Sequence, residues 1–127
     1  MRILYVCTGN SFRSVVAEAL SRRFRPGLEV ESAGIHPTDH IAENAKELLK
    51  YEHAEKHVKP SPDRISKRAI DEADLVIAMM PEHRSFILNN FDVDEDKLRV
   101  WHVFDPIKPE VEPMESFIKI REKIRTI

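Results

Sequence analysis

The sequence predicts a three-layer α/β/α protein with a four-stranded parallel sheet in the order 2-1-3-4, a Rossmann-like arrangement. Four short apolar segments are each followed by a segment with helical periodicity, and this alternation is typical of a parallel sheet covered by helices. Two of the four segments are continuously apolar and two alternate, which separates central strands from edge strands. The length favours one domain, and we expect it to span residues 1–127.

The first half of the chain carries two predicted strands and two predicted helices. A strand over residues 3–6 leads into a polar loop and then a helix from about Arg13, which ends at Pro26-Gly27. A second strand is expected over residues 28–32, and a second helix is predicted to begin near Asp39, a residue type that favours the N-cap. The apolar positions expected to face inward are Val16, Leu20 and Phe24 in the first helix and Ile41, Ala45, Leu48 and Leu49 in the second.

The second half begins with a charged stretch, residues 50–62, which we interpret as a helix end and a surface loop. A short helix is expected over residues 65–73 and the third strand over residues 74–79. Pro81 fits the first turn of the next helix, and the fourth strand is expected over residues 98–103. The apolar residues that mark the last two helices are Phe86, Ile87 and Phe91, and then Met114, Phe117, Ile120 and Ile124.

The pattern within the strands predicts their order. Strands 1 and 3 are continuously apolar and belong in the centre, whereas strands 2 and 4 alternate and belong at the edges. With right-handed crossovers, this gives the order 2-1-3-4. The direction of winding then reverses between strands 1 and 3, and open sheets bind ligands beyond the carboxyl ends of the strands at such a reversal. The loop that leaves strand 1 lies there and begins at Cys7.

Composition excludes several classes of protein. Hydrophobic residues make up 42% and charged residues 33%, which argues against a disordered chain. With 20 Lys and Arg against 22 Asp and Glu, the net charge of -2 gives no general attraction for nucleic acid or for a membrane surface. The first apolar run is too short for a secretory signal or a membrane span. Because Cys7 is the single cysteine and no export signal is seen, we expect a cytoplasmic protein without an intramolecular disulfide. A monomer or weak dimer is also expected.

The loop Cys7-Thr8-Gly9-Asn10-Ser11-Phe12-Arg13-Ser14 carries the candidate chemistry. Backbone N–H groups of such a loop, with the positive end of the following helix, can hold a tetrahedral oxyanion. The same field, together with the guanidinium of Arg13, favours the thiolate form of Cys7, which is a capable nucleophile towards phosphorus. Arg13 can bind two phosphoryl oxygens, and Ser14 can donate a hydrogen bond to the sulfur. The candidate phosphate-binding residues are Thr8, Gly9, Asn10, Ser11, Phe12, Arg13 and Ser14.

A proton donor for the leaving group is predicted at Asp105. This residue follows strand 4, and because all four strands run parallel, its loop opens at the same edge of the sheet as Cys7. Pro106 restricts the backbone of Asp105 to extended conformations, which helps to aim the carboxyl group. A well-placed acid contributes about 10²–10⁴ in rate. Cys7, Arg13 and Asp105 are therefore the candidate catalytic residues.

Together these residues resemble the low-molecular-weight protein tyrosine phosphatase family, over essentially the whole chain. The resemblance rests on Cys7-x5-Arg13-Ser14, Ala17-Glu18, Ser32-Ala33-Gly34, Ala73-Asp74 and Asp105-Pro106. It implies an enzyme that hydrolyses phosphomonoesters, with protein phosphotyrosine as the expected substrate and a phosphorylated protein or small phosphomonoester as the partner. It implies neither a metal nor an organic cofactor.

The resemblance also implies roles for individual residues. Cys7 would form a phosphocysteine intermediate, and Arg13 would bind the phosphate. Ser14 would support the thiolate, and Asn10 would brace the loop. Asp105 would act first as an acid and then as a base for the attacking water. Ser32-Ala33-Gly34 is interpreted as a structural turn that packs beside the loop.

The chain departs from the family pattern at several positions. Phe12 stands where family members often have a second cysteine, so Cys7 lacks a neighbour that could protect it from overoxidation as a disulfide. Val15 replaces a common proline, and Ile107 follows the Asp-Pro pair where many members have tyrosine. Ile35-His36 occupies the region that often supplies an aromatic wall for a phosphotyrosine ring.

Three other functions remain open from the sequence. Arsenate has the shape of phosphate, so an arsenate reductase that uses an external thiol is possible with one cysteine. A non-catalytic phosphate-binding or thiol-sensing module would not need Asp105. A phosphocysteine carrier fits poorly, because Arg13 and Asp105 would promote hydrolysis of its own intermediate. The pairs His36/His40 and His53/His57 are interpreted as surface histidines, and the motif of a nucleotide-hydrolysing P-loop is absent.

Overall fold

Four parallel strands form a single sheet in a computed structural model that describes residues 1–106 and 110–127. The strands are β1 (Arg2–Cys7), β2 (Glu29–Gly34), β3 (Leu75–Ala78) and β4 (Leu98–Val100). Their order is β2-β1-β3-β4, which confirms the predicted order. Cys7 pairs in register with Gly34, and Val6 pairs with Ala78. The carboxyl ends of the three neighbouring strands therefore lie side by side.

In the part of the chain that the structure describes, five α-helices cover the two faces of this sheet: α1 (Arg13–Phe24), α2 (Glu43–Lys50), α3 (Lys67–Glu72), α4 (Pro81–Asn90) and α5 (Pro113–Ile124). Alternate side chains of β1 divide the core, because Ile3 and Tyr5 pack with α1, α2 and α5, whereas Leu4 and Val6 pack with α3 and α4. This is the predicted three-layer arrangement. Within the described ranges, no helix is both long and apolar enough to cross a membrane.

The second helix starts later than its sequence predicts. Asp39 was expected to cap it, but α2 begins at Glu43, and Asp39 is exposed in the preceding bend. The backbone between β2 and α2 is hydrogen-bonded to the loop that follows β1, with Thr38 N–H donating to Gly9 at 3.0 Å and Ala42 N–H to Ser11 at 3.1 Å. These contacts hold the segment against the loop, and Ala42, with φ -64° and ψ 133°, is the extended residue that precedes the first turn of α2.

Two other expectations also differ from the structure. Phe24 does not face the core but is 44% exposed, with the Arg23 guanidinium 5.0 Å from the centre of its ring. The fourth strand ends at Val100 rather than at Val103. The chain still runs beside β3 beyond that point, but His102 adopts a positive φ of 59°, which interrupts the regular ladder.

Candidate active site

The loop between β1 and α1 turns its carbonyl oxygens towards the segment that follows β2. Four of them accept hydrogen bonds of 2.8–3.1 Å from backbone N–H groups: Cys7 from Ile35, Thr8 from His36, Gly9 from Thr38 and Ser11 from Ala42. In a trans peptide unit, C=O and N–H point in opposite directions. The N–H groups directed to the other side are therefore those of Thr8, Gly9, Asn10 and Phe12. With the N-terminus of α1, they form a concave surface suited to an anion.

The end of β2 packs directly against the backbone of this loop. A Cβ atom on Gly34 would lie 2.7 Å from the carbonyl oxygen of Thr8 and 2.9 Å from the backbone nitrogen of Asn10. Only glycine fits without displacing the backbone. Ser32-Ala33-Gly34 therefore packs beside the loop as expected, but these residues are the end of β2 and not a turn.

The sulfur of Cys7 faces a pocket of about 200 Å³ that is also lined by Arg13 and Asp105. Cys7 is only 2% exposed, yet its sulfur has polar neighbours. The N–H of Asn10 lies 3.3 Å from the sulfur and donates to it, and the hydroxyl oxygen of Ser14 lies 2.9 Å away. Both contacts are ones that a thiolate, which only accepts hydrogen bonds, could use.

The direction of the Ser14 hydrogen bond follows from the contacts of Asn10. The side-chain amide of Asn10 is fully buried, and its backbone has a positive φ of 50°, which asparagine tolerates better than most residues. Its Nδ2 donates to Ser14 Oγ at 2.8 Å. Because Ser14 accepts this hydrogen bond, its own hydroxyl proton is available to Cys7. Asn10 thus contacts the loop as the expected bracing role requires.

Arg13 is buried, at 3% exposure, and joins the loop to the end of the sheet. Its Nη1 donates to the carbonyl oxygen of Val103 at 3.0 Å, and its Nη2 lies 3.4 Å from Thr8 Oγ1. The same Nη2 forms an ion pair of 3.4 Å with Asp105 Oδ2. The structure thus brings the predicted nucleophile, anion ligand and acid to one pocket, with the acid paired to the arginine.

The other residues of the pocket wall are mostly small or polar. Phe12 belongs to this lining but is 7% exposed, so little of its ring faces the pocket. Ile35 is buried, whereas His36 is exposed and lines the pocket. Ile107, which the sequence analysis compared with a tyrosine, lies outside the described residues. The remaining lining residues are Thr8, Gly9, Ser11, Thr38, Ala42, Asn44 and Pro106.

Two residues near the loop were missed by the sequence analysis, and the first is His83. Its side chain is fully buried in the first turn of α4. Nδ1 accepts the N–H of Met80 at 3.0 Å, so the ring proton is on Nε2, which donates to Thr8 Oγ1 at 2.8 Å. Burial lowers the pKa of His83 to about 4, with a further lowering by Arg13 and an opposing effect of Asp105.

His83 is expected to make the protein less stable as the pH falls. Its pKa is about 4 when folded and 6.5 when unperturbed, so between these values the unfolded chain binds a proton that the folded chain does not. The free energy of unfolding should fall by about 2–3 kcal/mol across this window, with no further loss from His83 below about pH 4. Urea denaturation of wild type and His83→Gln at pH 7 and about pH 4.5 would measure it.

His40→Gln is the matched control, because His40 is exposed. The stability of this variant should follow that of wild type at each pH, whereas His83→Gln should lose less stability than either on acidification. An identical pH dependence in all three proteins would show that His83 is not held neutral.

The second missed residue is Lys59, which lies in the charged stretch interpreted as a surface loop. Its side chain is only 9% exposed, and its ammonium group contacts Asn10 Oδ1 at 2.7 Å. The interpretation is thus wrong at Lys59, although His53 and Glu55 in the same stretch are exposed. His36 and His40 are also exposed, as expected.

A parallel sheet that ends in a cysteine, an anion-binding loop and an arginine is the arrangement of a cysteine-dependent phosphatase. The family model described as "Low molecular weight phosphotyrosine protein phosphatase" matches residues 2–125. The chain belongs to this family, and the predicted phosphatase function is confirmed at that level.

Three similar proteins illustrate what this chain resembles in sequence or in fold. A protein-arginine-phosphatase from Geobacillus stearothermophilus is 33% identical over 135 residues, covering 99% of this chain and 90% of that protein. The low-molecular-weight protein tyrosine phosphatase structure from T. tengcongensis has a TM-score of 0.85 at 26% identity, covering 98% of this chain and 95% of that one. An arsenate reductase from Archaeoglobus fulgidus shares the fold, with a TM-score of 0.77 at 24% identity and coverage of 98% and 96%.

Proposed function

We propose that this chain removes phosphoryl groups from protein side chains through a phosphocysteine intermediate on Cys7. The observation that carries the proposal is the environment of the Cys7 sulfur, which accepts hydrogen bonds from Asn10 N–H and Ser14 Oγ at the bottom of an anion-shaped loop. A thiolate held there can attack phosphorus in line with the leaving group. The reaction needs a reduced thiol, which fits the cytoplasmic location expected from the sequence.

The proposed reaction has two steps. In the first, Cys7 forms an S–P bond while the bond from phosphorus to the leaving group breaks, and Asp105 donates a proton to the departing atom. In the second, water attacks phosphorus, the S–P bond breaks, and the Asp105 carboxylate accepts a proton from the water. Phosphate is released, and Cys7 returns to the thiolate form, with the Ser14 hydroxyl donating to it.

Arg13 is proposed to change partners during this cycle. Without a phosphoryl group it is paired with Asp105, across 3.4 Å. A phosphoryl dianion in the loop competes for the guanidinium, which can bind two of its oxygens. Asp105 then gives up its contact with the Arg13 guanidinium and can turn towards the leaving group.

For the substrate, we propose protein phosphoarginine. One support is the similarity to a curated protein-arginine-phosphatase along 99% of this chain. The other is a set of polar side chains in the pocket wall, Thr38 and Asn44, together with the Asp105 carboxylate. Side-chain oxygens and a carboxylate suit a guanidinium, whereas a phosphotyrosine ring favours aromatic walls. Phosphotyrosine remains the second candidate, as the sequence analysis expected, because the T. tengcongensis neighbour is named for it.

Turnover of two peptides with the same flanking sequence, one phosphorylated on arginine and one on tyrosine, tests this proposal. We expect kcat/KM to be at least about tenfold higher for phosphoarginine, which corresponds to about 1.4 kcal/mol of differential transition-state binding. Equal or faster turnover of phosphotyrosine would assign the second candidate instead. Release of arsenite from arsenate in the presence of glutaredoxin or thioredoxin, without turnover of either peptide, would favour the reductase alternative.

A further inference from the structure

Lys59 is a buried cation behind the phosphate loop, and its position is unusual for a lysine. Lysine side chains are seldom as buried as the 9% exposure found here unless their charge is paired. Its ammonium nitrogen lies 2.7 Å from Asn10 Oδ1, 2.8 Å from the carbonyl oxygen of Ser32 and 2.8 Å from Asp63 Oδ2. Asp63 is 68% exposed, whereas Asn10 and Ser32 are buried. Its contacts with Asn10 and Ser32 therefore join it to the framework of the loop.

The contacts of Lys59 determine which way the amide of Asn10 faces. An ammonium group has three donors and no acceptor, so it can pair only with the amide oxygen. The backbone N–H of Asp63 donates to the same oxygen at 2.8 Å. Nδ2 must then face the opposite side, where it donates to Ser14 Oγ at 2.8 Å and to Ser32 Oγ at 2.9 Å.

The orientation of Asn10 in turn determines where the proton of Ser14 points. With Nδ2 towards it, Ser14 Oγ accepts from Asn10 and can donate to Cys7 Sγ at 2.9 Å. With the amide reversed, Oδ1 would lie beside Ser14 and compete with the sulfur for that proton. The reversed amide would also place Nδ2 against the Lys59 ammonium, which is unfavourable. Lys59, together with the N–H of Asp63, thus selects the arrangement that supplies a hydrogen bond to the sulfur.

We propose that Lys59 is a positioning residue for catalysis, which acts through Asn10 and Ser14 to keep a hydroxyl proton directed at the Cys7 sulfur. The inference rests on the proposed role of Cys7 as nucleophile. Its consequence is that loss of Lys59 makes the thiolate less stable, which lowers the ionised fraction of Cys7 and makes sulfur a poorer leaving group, without removing any group that contacts phosphate.

Lys59→Met is the direct test, with three measurements. We expect the rate of Cys7 alkylation by iodoacetamide at pH 6 and the kcat for para-nitrophenyl phosphate each to fall about tenfold, in keeping with the loss of one charge-assisted hydrogen bond. The inhibition constant of inorganic phosphate should change by less than about twofold, because the backbone N–H groups and Arg13 are retained. Lys59→Arg, which keeps the charge and the donors, should recover most of both rates.

A double variant with Ser14→Ala tests whether Lys59 acts through the Ser14 hydroxyl or only supports the loop in general. In a Ser14→Ala background, Lys59→Met should cause no further loss of alkylation rate, because the hydroxyl through which it acts is already gone. Lys56→Met is the matched control, since Lys56 is exposed in the 3₁₀ turn Glu55–His57, and it should match wild type in every measurement.

Several results would overturn the inference. If Lys59→Met were alkylated at the wild-type rate, the inference would be wrong. It would also be wrong if Lys59→Met lowered the alkylation rate by the same factor in the Ser14→Ala background as in the wild-type background. A rise in the phosphate inhibition constant in proportion to the fall in kcat would instead show a collapsed loop. If the methionine variant does not fold, Lys59→Leu, which likewise has no donor for Asn10 Oδ1, must show the slower alkylation. Alkylation does not require turnover, so failure of the proposed phosphatase activity would be seen separately.

Discussion

Replacing Cys7 with serine is expected to lower turnover of para-nitrophenyl phosphate by about 10⁴–10⁶, which is the scale observed when an enzyme loses its nucleophile. A serine hydroxyl stays neutral near pH 7, and the hydrogen bonds that the sulfur receives from Asn10 and Ser14 are too weak to ionise it. The loop geometry should persist, because serine is slightly smaller than cysteine. Turnover of wild type and Cys7→Ser across a pH series measures the effect.

The same two proteins also separate chemistry from binding. The inhibition constant of inorganic phosphate for wild type and the equilibrium binding of phosphate to Cys7→Ser should be similar, because the backbone N–H groups and Arg13 remain in place. Acid quenching during turnover should trap a phosphorylated wild-type chain, with the label on Cys7. Substantial turnover by the serine variant would remove the covalent mechanism.

Replacing Asp105 with asparagine should lower kcat by about 10²–10⁴ on substrates whose leaving group needs a proton. The loss should be much smaller for an activated aryl phosphate such as 2,4-dinitrophenyl phosphate, whose phenolate departs without protonation. Phosphate should bind at least as tightly as in wild type, since Arg13 no longer pairs with a carboxylate across 3.4 Å. Kinetics with both esters, and phosphate inhibition, provide the comparison.

Asp39→Asn provides the control for this substitution. Asp39 is exposed in the segment between β2 and α2 and is not part of the pocket lining, so this variant should keep wild-type rates. If Asp105→Asn also kept wild-type rates on both esters, Asp105 would not be the acid. A chain that bound phosphate but turned over neither ester would be a binding module.

The sequence was sufficient for those features that depend on local pattern and on sheet topology. Continuous and alternating strands predicted the order β2-β1-β3-β4. Because parallel strands end at one edge, that order also placed Cys7 and Asp105 near each other although 98 positions separate them. The catalytic roles expected for individual residues came from the resemblance to a known family, because neither the apolar pattern nor the residue spacing predicts them.

The features that were missed depend on tertiary contacts. Lys59 and Asn10 are 49 residues apart, and His83 and Thr8 are 75 apart, with no local pattern that marks either pair. A lysine in a charged stretch has the composition of a solvated loop, and only the packing of that stretch behind β2 buries it. Asp39 shows the converse, since its local capping preference was overridden by backbone hydrogen bonds between its neighbours and the loop.

The segment between β2 and α2 holds the anion-binding loop through its main chain, with four N–H groups bound to loop carbonyls. Side chains of that segment, such as those of His36 and Thr38, line the pocket mouth and take no part in these backbone contacts. A substitution of these side chains would therefore reshape the entrance while leaving the four backbone contacts in place. A change of target and a loss of the anion-binding loop would need different mutations.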